Sequence, residues 1–292
     1  MQFPALPKPI EITRPERVTS HVTFASPHSG RFYPEDMIRR ACIPSLALRS
    51  SEDAYVDLLL AAAPLAGAPL VTTDVPRAYV DFNRAETELD PLLISGLPSR
   101  VVPSPRVAAG LGVVARVVAH GRPIYGSRLP LSEVQARISR YWRPYHQALE
   151  ALLAEQRARF GRSLLVDVHS MPRAAVLGLP RMRAGRPDIV LGDRHGAACD
   201  PAMVDAAAAL FRAEGLVVAR NMPFAGAYIC ERYGQPGQGL NCLQVEIDRG
   251  LYLDEKRVEP GRDFAAFRAA MSRIVAGLAE LGRESQLPLA AE

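Results

Sequence analysis

A chain of 292 residues, 48% of them hydrophobic, holds enough apolar material for one sizeable core, and a single domain over 1–292 is expected. The longest apolar run, around Leu58 to Val71, is broken by Pro64, Gly67 and Pro69, and no basic-then-apolar signal opens the chain, so a cytoplasmic protein with no membrane partner is expected. A net charge of +4 raises nucleic acid as a partner. The densest basic group, Arg181, Arg183 and Arg186, sits in a Gly/Pro-containing stretch with no binding module around it, and reads as a solvated loop.

In chain order, 21–25 is a β-prone run that stops at Ser26-Pro27-His28-Ser29-Gly30, leaving His28 at a strand's carboxyl end. Over 52–63, Tyr55, Val56, Leu59, Leu60 and Ala63 follow helical spacing behind a Ser50 or Ser51 N-cap, which places Asp53 in a helix's first turn. Strands are expected at 70–73, 78–82 and 113–118, the second leading into Asn83-Arg84 and the third towards a hairpin turn at His120-Gly121. A long helix should cover 131–160, stopped by Gly161 and divided or kinked at Pro144.

The run 164–168 is apolar apart from one acid and ends directly at His169. Strands at 189–191 and 216–218 flank a helix over Pro201–Ala213 with Asp200 as cap, 243–247 is the last strand, and 263–281 closes the chain as an amphipathic helix. This alternation implies an α/β fold, a three-layer α/β/α sandwich with a mixed, largely parallel central sheet. Ligand sites in such sheets gather beyond the carboxyl ends of strands, where His28, Arg84, His169 and Glu246 emerge.

A hydrolytic zinc site needs three protein ligands, commonly two His and a carboxylate, and an open position for water. His28 and His169 stand out because each follows a β-run and precedes Ser, although either alone also reads as a structural hydrogen-bonding residue. Glu246 stands in an otherwise apolar strand, where a buried charge needs either a catalytic task or a partner such as Arg249, and Gln244 shares its face and could orient it. Arg84 suits an anionic ligand through its planar fork, with Asn83 as a neutral donor beside it. Asp167 points to the same face as His169 and could orient a ligand. His146 reads as packing, His21 and His120 as exposed, His195 as part of a loop that could border a pocket, and Tyr228 as a residue that closes over substrate or packs. Cys42, Cys199, Cys230 and Cys242 form no CxxC pair and read as free thiols. No Gly-rich phosphate loop and no GxSxG element is present.

Taken together, Ser26-Pro27-His28-Ser29-Gly30, Ser51-Glu52-Asp53, Asp81-Phe82-Asn83-Arg84, Val166-Asp167-Val168-His169-Ser170 and Leu243-Gln244-Val245-Glu246-Ile247 resemble the N-formylglutamate amidohydrolase family. The resemblance runs from about His21 to Glu255 and implies a fold similar to zinc carboxypeptidases. It implies one Zn2+ held by His28, Asp53 and His169, with Glu52 as the competing carboxylate. Glu246 would be the general base, and Arg84 with Asn83 would hold a substrate carboxylate. Arg31 stands where carboxypeptidases carry a carboxylate three residues after the first histidine. The implied reaction is hydrolysis of N-formyl-L-glutamate to formate and L-glutamate, the last step of histidine breakdown. The substrate would be a small acidic molecule, recognised by loops in 90–125 and 171–188. The same machinery on another N-acyl amino acid or a peptide end, or a metal-free protein that binds anions or nucleic acid, are the alternative readings. Oligomeric state is not legible.

Overall fold

The computed structural model describes residues 7–98, 102–177 and 185–282. Seven strands form one sheet: β1 (Glu11–Thr13), β2 (Val22–Ala25), β3 (Leu70–Thr72), β4 (Ser163–Met171), β5 (Ile189–Gly192), β6 (Val218–Arg220) and β7 (Leu240–Asp248). Their spatial order is β1-β3-β2-β4-β7-β5-β6. Strands β3, β2, β4 and β7 are mutually parallel; β1 closes one edge antiparallel, and the parallel pair β5 and β6 lies antiparallel to β7.

The helices are α1 (Leu131–Arg137), α2 (Arg143–Phe160), α3 (Pro201–Ala213), α4 (Tyr228–Tyr233) and α5 (Phe264–Leu281), besides several single turns. Successive residues of a strand face opposite sides, so β4 and β7 supply two cores at once. Leu164, Val166, Val168, Leu243, Val245 and Ile247 pack with Phe211 of α3 and Met271 and Ile274 of α5. Leu165 and Cys242 turn the other way, towards Tyr145, Leu149 and Leu152 of α2 and Ile229 of α4. Helices therefore cover both faces of a mixed, mostly parallel sheet, which is why its central strands stay buried along almost their whole length. The same alternation places Asp167 and His169, and Gln244 and Glu246, on the α2 side.

Several local expectations give way to tertiary packing. The helix expected over 52–63 exists only as Val56–Leu59, because Tyr55 adopts a left-handed backbone (φ 63°) immediately before it. Asp53 thus lies in extended chain, its N–H bonded to the carbonyl of His28 at 3.0 Å. Residues 78–82 form no strand: Tyr79 and Val80 donate back to Pro76 in a turn, and Tyr79, Val80 and Phe82 are buried by packing without a strand partner. Of 113–118 only Val117–Val118 forms a strand, in a hairpin with Arg122–Pro123 around His120, and Ala115 makes a single bridge to Leu111. The strand expected at 216–218 is Val218–Arg220.

Both central strands outrun their apolar runs, so His169 lies inside β4, not beyond its end. Pro144 is absorbed by a π-turn, Ile138–Trp142, that joins α1 to α2; a widened turn accommodates the missing proline donor without breaking the helix. His21, expected to be exposed, is buried, and its ring is bonded to the carbonyl of Gly282 at 2.9 Å, tying β2 to the end of α5. Arg181 and Arg183 lie outside the described residues, and Arg186 is exposed.

The loop that carries His28 is fixed by contact. A Cβ on Gly30 would stand 2.2 Å from the carbonyl oxygen of Val75. Gly30→Ala is expected to destabilise the protein by about 1–3 kcal/mol, the range for forced overpacking. A urea unfolding midpoint equal to that of the unaltered chain would show that the two loops can part freely.

Candidate metal centre and active-site cavity

Because β2, β4 and β7 run parallel, their carboxyl ends lie side by side. The loop after β2 brings His28 to that end, β4 brings His169, β7 brings Glu246 into register with His169, and the extended segment after Ser51 brings Asp53. His28 Nδ1, His169 Nδ1 and Asp53 Oδ2 form a triangle with sides of 3.0 Å between the histidines, 3.0 Å from His169 to Asp53 and 3.3 Å from His28 to Asp53. All three side chains are buried.

The outer ring nitrogens fix the tautomers. His28 Nε2 donates to Asp81 Oδ1 at 2.7 Å and His169 Nε2 donates to Asp167 Oδ2 at 2.9 Å. Each Nδ1 is thereby left with a lone pair aimed at the centre, where the third corner is a carboxylate oxygen. Three acceptors facing one point repel one another unless a cation or a shared proton sits among them. Their spacing matches a metal with ligands at about 2.0 Å, for which tetrahedral neighbours stand about 3.3 Å apart. The cluster fits a metal ion, and the described residues contain no other group of His, Cys, Asp or Glu drawn together in this way.

The electrostatics agree with the geometry. Burial opposes ionisation of Asp53, but the imidazoles of His169 and His28 beside it outweigh that and hold its carboxyl well below the usual range. Burial also opposes a charge on His169, yet Asp167 and Asp53 raise its pKa well above the ordinary imidazole value. Asp81 is likewise held low against burial by His28, Arg77 and Arg84. The shell around the triangle thus favours positive charge at its centre.

The other oxygen of Asp53 accepts from Arg249 Nη2 at 3.0 Å and from Ser170 Oγ at 3.3 Å, while Arg249 also donates to Ser170 Oγ and to the Ser50 carbonyl. This separates Asp53 from its competitor, since Glu52 is turned to Tyr33 and Arg49. Arg31 pairs with Asp57 and takes no part.

A cavity of about 690 Å³ opens over the triangle and is lined by His28, His169, Asn83, Arg84, Gln244 and Glu246, among others. Its size falls within the range of small-molecule sites. Glu246 is almost wholly buried, and desolvation pushes its pKa up to about 7 against the opposing charge of His169. Gln244 Nε2 donates to Glu246 Oε1 at 2.9 Å, and the Gln244 side-chain Oε1 accepts from the Ala227 N–H at 3.0 Å. Arg249 makes its hydrogen bonds to Asp53 and its neighbours, not to Glu246.

Arg84 is held by two carbonyls, Nε to Leu111 at 2.9 Å and Nη1 to Asn83 at 2.8 Å. The Asn83 amide is engaged as well, its Oδ1 accepting from the Ile229 N–H at 2.8 Å, so it braces the loop before α4. Tyr228 does not line the cavity: it packs beside Trp142 and His146, and its hydroxyl accepts from Arg232. His146 is buried between Tyr233 and the Phe82 carbonyl, and His195 lies outside the lining.

Arg77, which pairs with Asp81 at 2.9 Å, and Arg106 and His120 on the 90–125 loops also line the cavity. Sequence reasoning gave them no role, although Asp81 sat inside a recognised motif. Arg77 lies in a turn and Arg106 on the single helical turn Pro105–Ala108, both too short for periodicity to mark a face.

The family model for N-formylglutamate amidohydrolase matches residues 20–253. An N-formylglutamate deformylase from Pseudomonas aeruginosa is 34% identical over 224 residues, 75% of this chain and 77% of that protein. One from Pseudomonas putida is 28% identical over 236 residues, 80% of this chain and 81% of that protein. The crystal structure of an N-formylglutamate amidohydrolase from Ralstonia eutropha JMP134 superposes with a TM-score of 0.88 at 36% identity, covering 95% of this chain and 99% of that one. The chain belongs to the N-formylglutamate amidohydrolase family and is a hydrolase acting on a non-peptide amide.

Proposed function

We propose that this protein is a zinc-dependent deformylase that hydrolyses N-formyl-L-glutamate to formate and L-glutamate, in the cytoplasm, at the last step of histidine breakdown. The observation that carries the reading is the inward-facing triangle of His28, Asp53 and His169 with a buried Glu246 in the same cavity. Its resemblance to the named deformylases supports the choice of substrate.

A zinc ion held by His28 Nδ1, Asp53 and His169 Nδ1 would polarise the formyl carbonyl and acidify the attacking water. Glu246 accepts a proton from that water as its oxygen joins the formyl carbon, and returns it to the departing amine nitrogen as the C–N bond breaks. A carboxyl with a pKa of about 7 suits both transfers near neutrality. Gln244 holds Oε1 of Glu246, so the second oxygen carries the proton. Arg84, immobilised by two carbonyls, receives a substrate carboxylate with little further ordering.

Glu246→Gln is expected to keep its metal and lose about 10²–10⁴-fold in kcat, the usual contribution of a positioned base. Near-normal turnover would remove Glu246 from the proton path. Arg84→Ala should chiefly raise KM, by about tenfold to a hundredfold for a lost charged hydrogen bond; an unaltered KM would place the carboxylate elsewhere. Asp81→Asn removes the carboxylate that orients His28, and zinc affinity measured by chelator competition should fall about 10–100-fold. Affinity equal to that of the unaltered chain would leave Asp81 without an orienting role. The class itself is tested by a hydrolysis screen of N-formyl, N-acetyl and peptide substrates with zinc added: no turnover of N-formyl-L-glutamate would defeat the reading.

A further inference from the structure

The four arginines that line the cavity divide by partner. Arg77 is paired with Asp81, and Arg249 with Asp53. Arg84 and Arg106 line the same cavity, and neither forms an ion pair with a carboxylate among the described residues. The nearby acids are already engaged. Asp81 takes His28 and Arg77, and Glu88 accepts from the Ala85 N–H at 3.0 Å and the Ser104 hydroxyl at 3.0 Å. Burial lowers the pKa of Arg84 and the charges of Arg77 and Arg106 add to the lowering, against the opposing attraction of Asp81 and Glu88.

Two cations that line one cavity without an ion-pair partner of their own are complemented by two negative charges on the ligand. They differ in depth: Arg84 is 7% exposed, whereas Arg106 is exposed, on the short helical turn Pro105–Ala108. In an N-acyl amino diacid the α-carboxylate is one carbon from the amide nitrogen, and the side-chain carboxylate lies several bonds further out. We infer that Arg106 forms the distal carboxylate subsite, pairing with the side-chain carboxylate of a diacid whose α-carboxylate sits on the deeper Arg84. The inference rests on the deformylase reading for the identity of the reacting amide. Arg106 is then the residue by which the enzyme distinguishes acidic from neutral amino-acid side chains, and a ligand with one carboxylate leaves one cation unpaired.

The test separates binding from hydrolysis. Glutarate, a diacid, and butyrate, a monoacid, are titrated calorimetrically into the full-length zinc-loaded protein and its Arg106→Gln variant. The unaltered protein should bind glutarate more tightly than butyrate. Arg106→Gln should weaken glutarate by about tenfold to a hundredfold, as for one charge-assisted hydrogen-bonded pair, and leave butyrate within about twofold. Glutarate affinity unaltered by the substitution, or both ligands weakened equally, overturns the subsite. In parallel, kcat/KM is measured for N-formyl-L-glutamate and N-formyl-L-glutamine. The substitution should lower the first and spare the second, and an equal loss on both overturns the subsite. A wild-type chain that deformylates neither compound defeats the deformylase reading, while the titrations still decide the subsite.

Discussion

The mutual approach of three acceptor atoms, His28 Nδ1, His169 Nδ1 and Asp53 Oδ2, is the constraint on which the rest of the site depends. Such an arrangement is unfavourable in isolation, because lone pairs and a carboxylate converge on one point away from water. It persists because each group is held from behind. Asp81 and Asp167 fix the two rings, Arg249 and Ser170 fix the carboxylate, and the Asp53 N–H is tied to the His28 carbonyl. The outer contacts therefore serve two ends: they satisfy buried polar groups and they aim the remaining lone pairs inward.

The sheet makes this convergence possible. Three adjacent parallel strands deliver their carboxyl ends to one place, and strict alternation sends every second side chain of β4 and β7 to the same face. Along β4 that face runs from apolar Leu165 to Asp167 and His169, and along β7 from Cys242 to Gln244 and Glu246. One face of one sheet is thus part of the hydrophobic core under α2 at one end and a wall of the cavity at the other. The π-turn before α2 joins these roles, since Trp142 within it donates its indole N–H to the Arg84 carbonyl at 2.9 Å.

Charge in the cavity is distributed by depth. Near the triangle, Arg77 and Arg249 are matched by Asp81 and Asp53, the carboxylates that orient His28 or form a corner of the triangle itself. Further out, Arg84 and Arg106 form no ion pair with a carboxylate among the described residues, although both line the cavity. On the proposed reading, chemistry and recognition draw on different residues that line one cavity. Arg84 and Arg106 both come from the connecting segments between sheet strands, not from the sheet itself.

The alternation of strand and helix patterns was sufficient to specify the three-layer architecture, because each period reports which face of an element is buried. His28, His169 and Glu246 were legible for the same reason: polar residues at the ends of, or within, apolar runs need a task or a partner. The choice of Asp53 over Glu52 was not legible, since it depends on the left-handed Tyr55 and on which carboxylate Arg49 and Tyr33 claim. Nor was the failure of 78–82 to form a strand, whose alternating pattern is satisfied by packing against the α2 side. The sequence by itself determined the main strands and helices of the sheet and its two covering layers, and the residue types that chemistry needs. Only the tertiary structure decided which acids stand behind which histidines and which arginines remain unpaired, because those pairings join segments far apart in the chain and no local period records them.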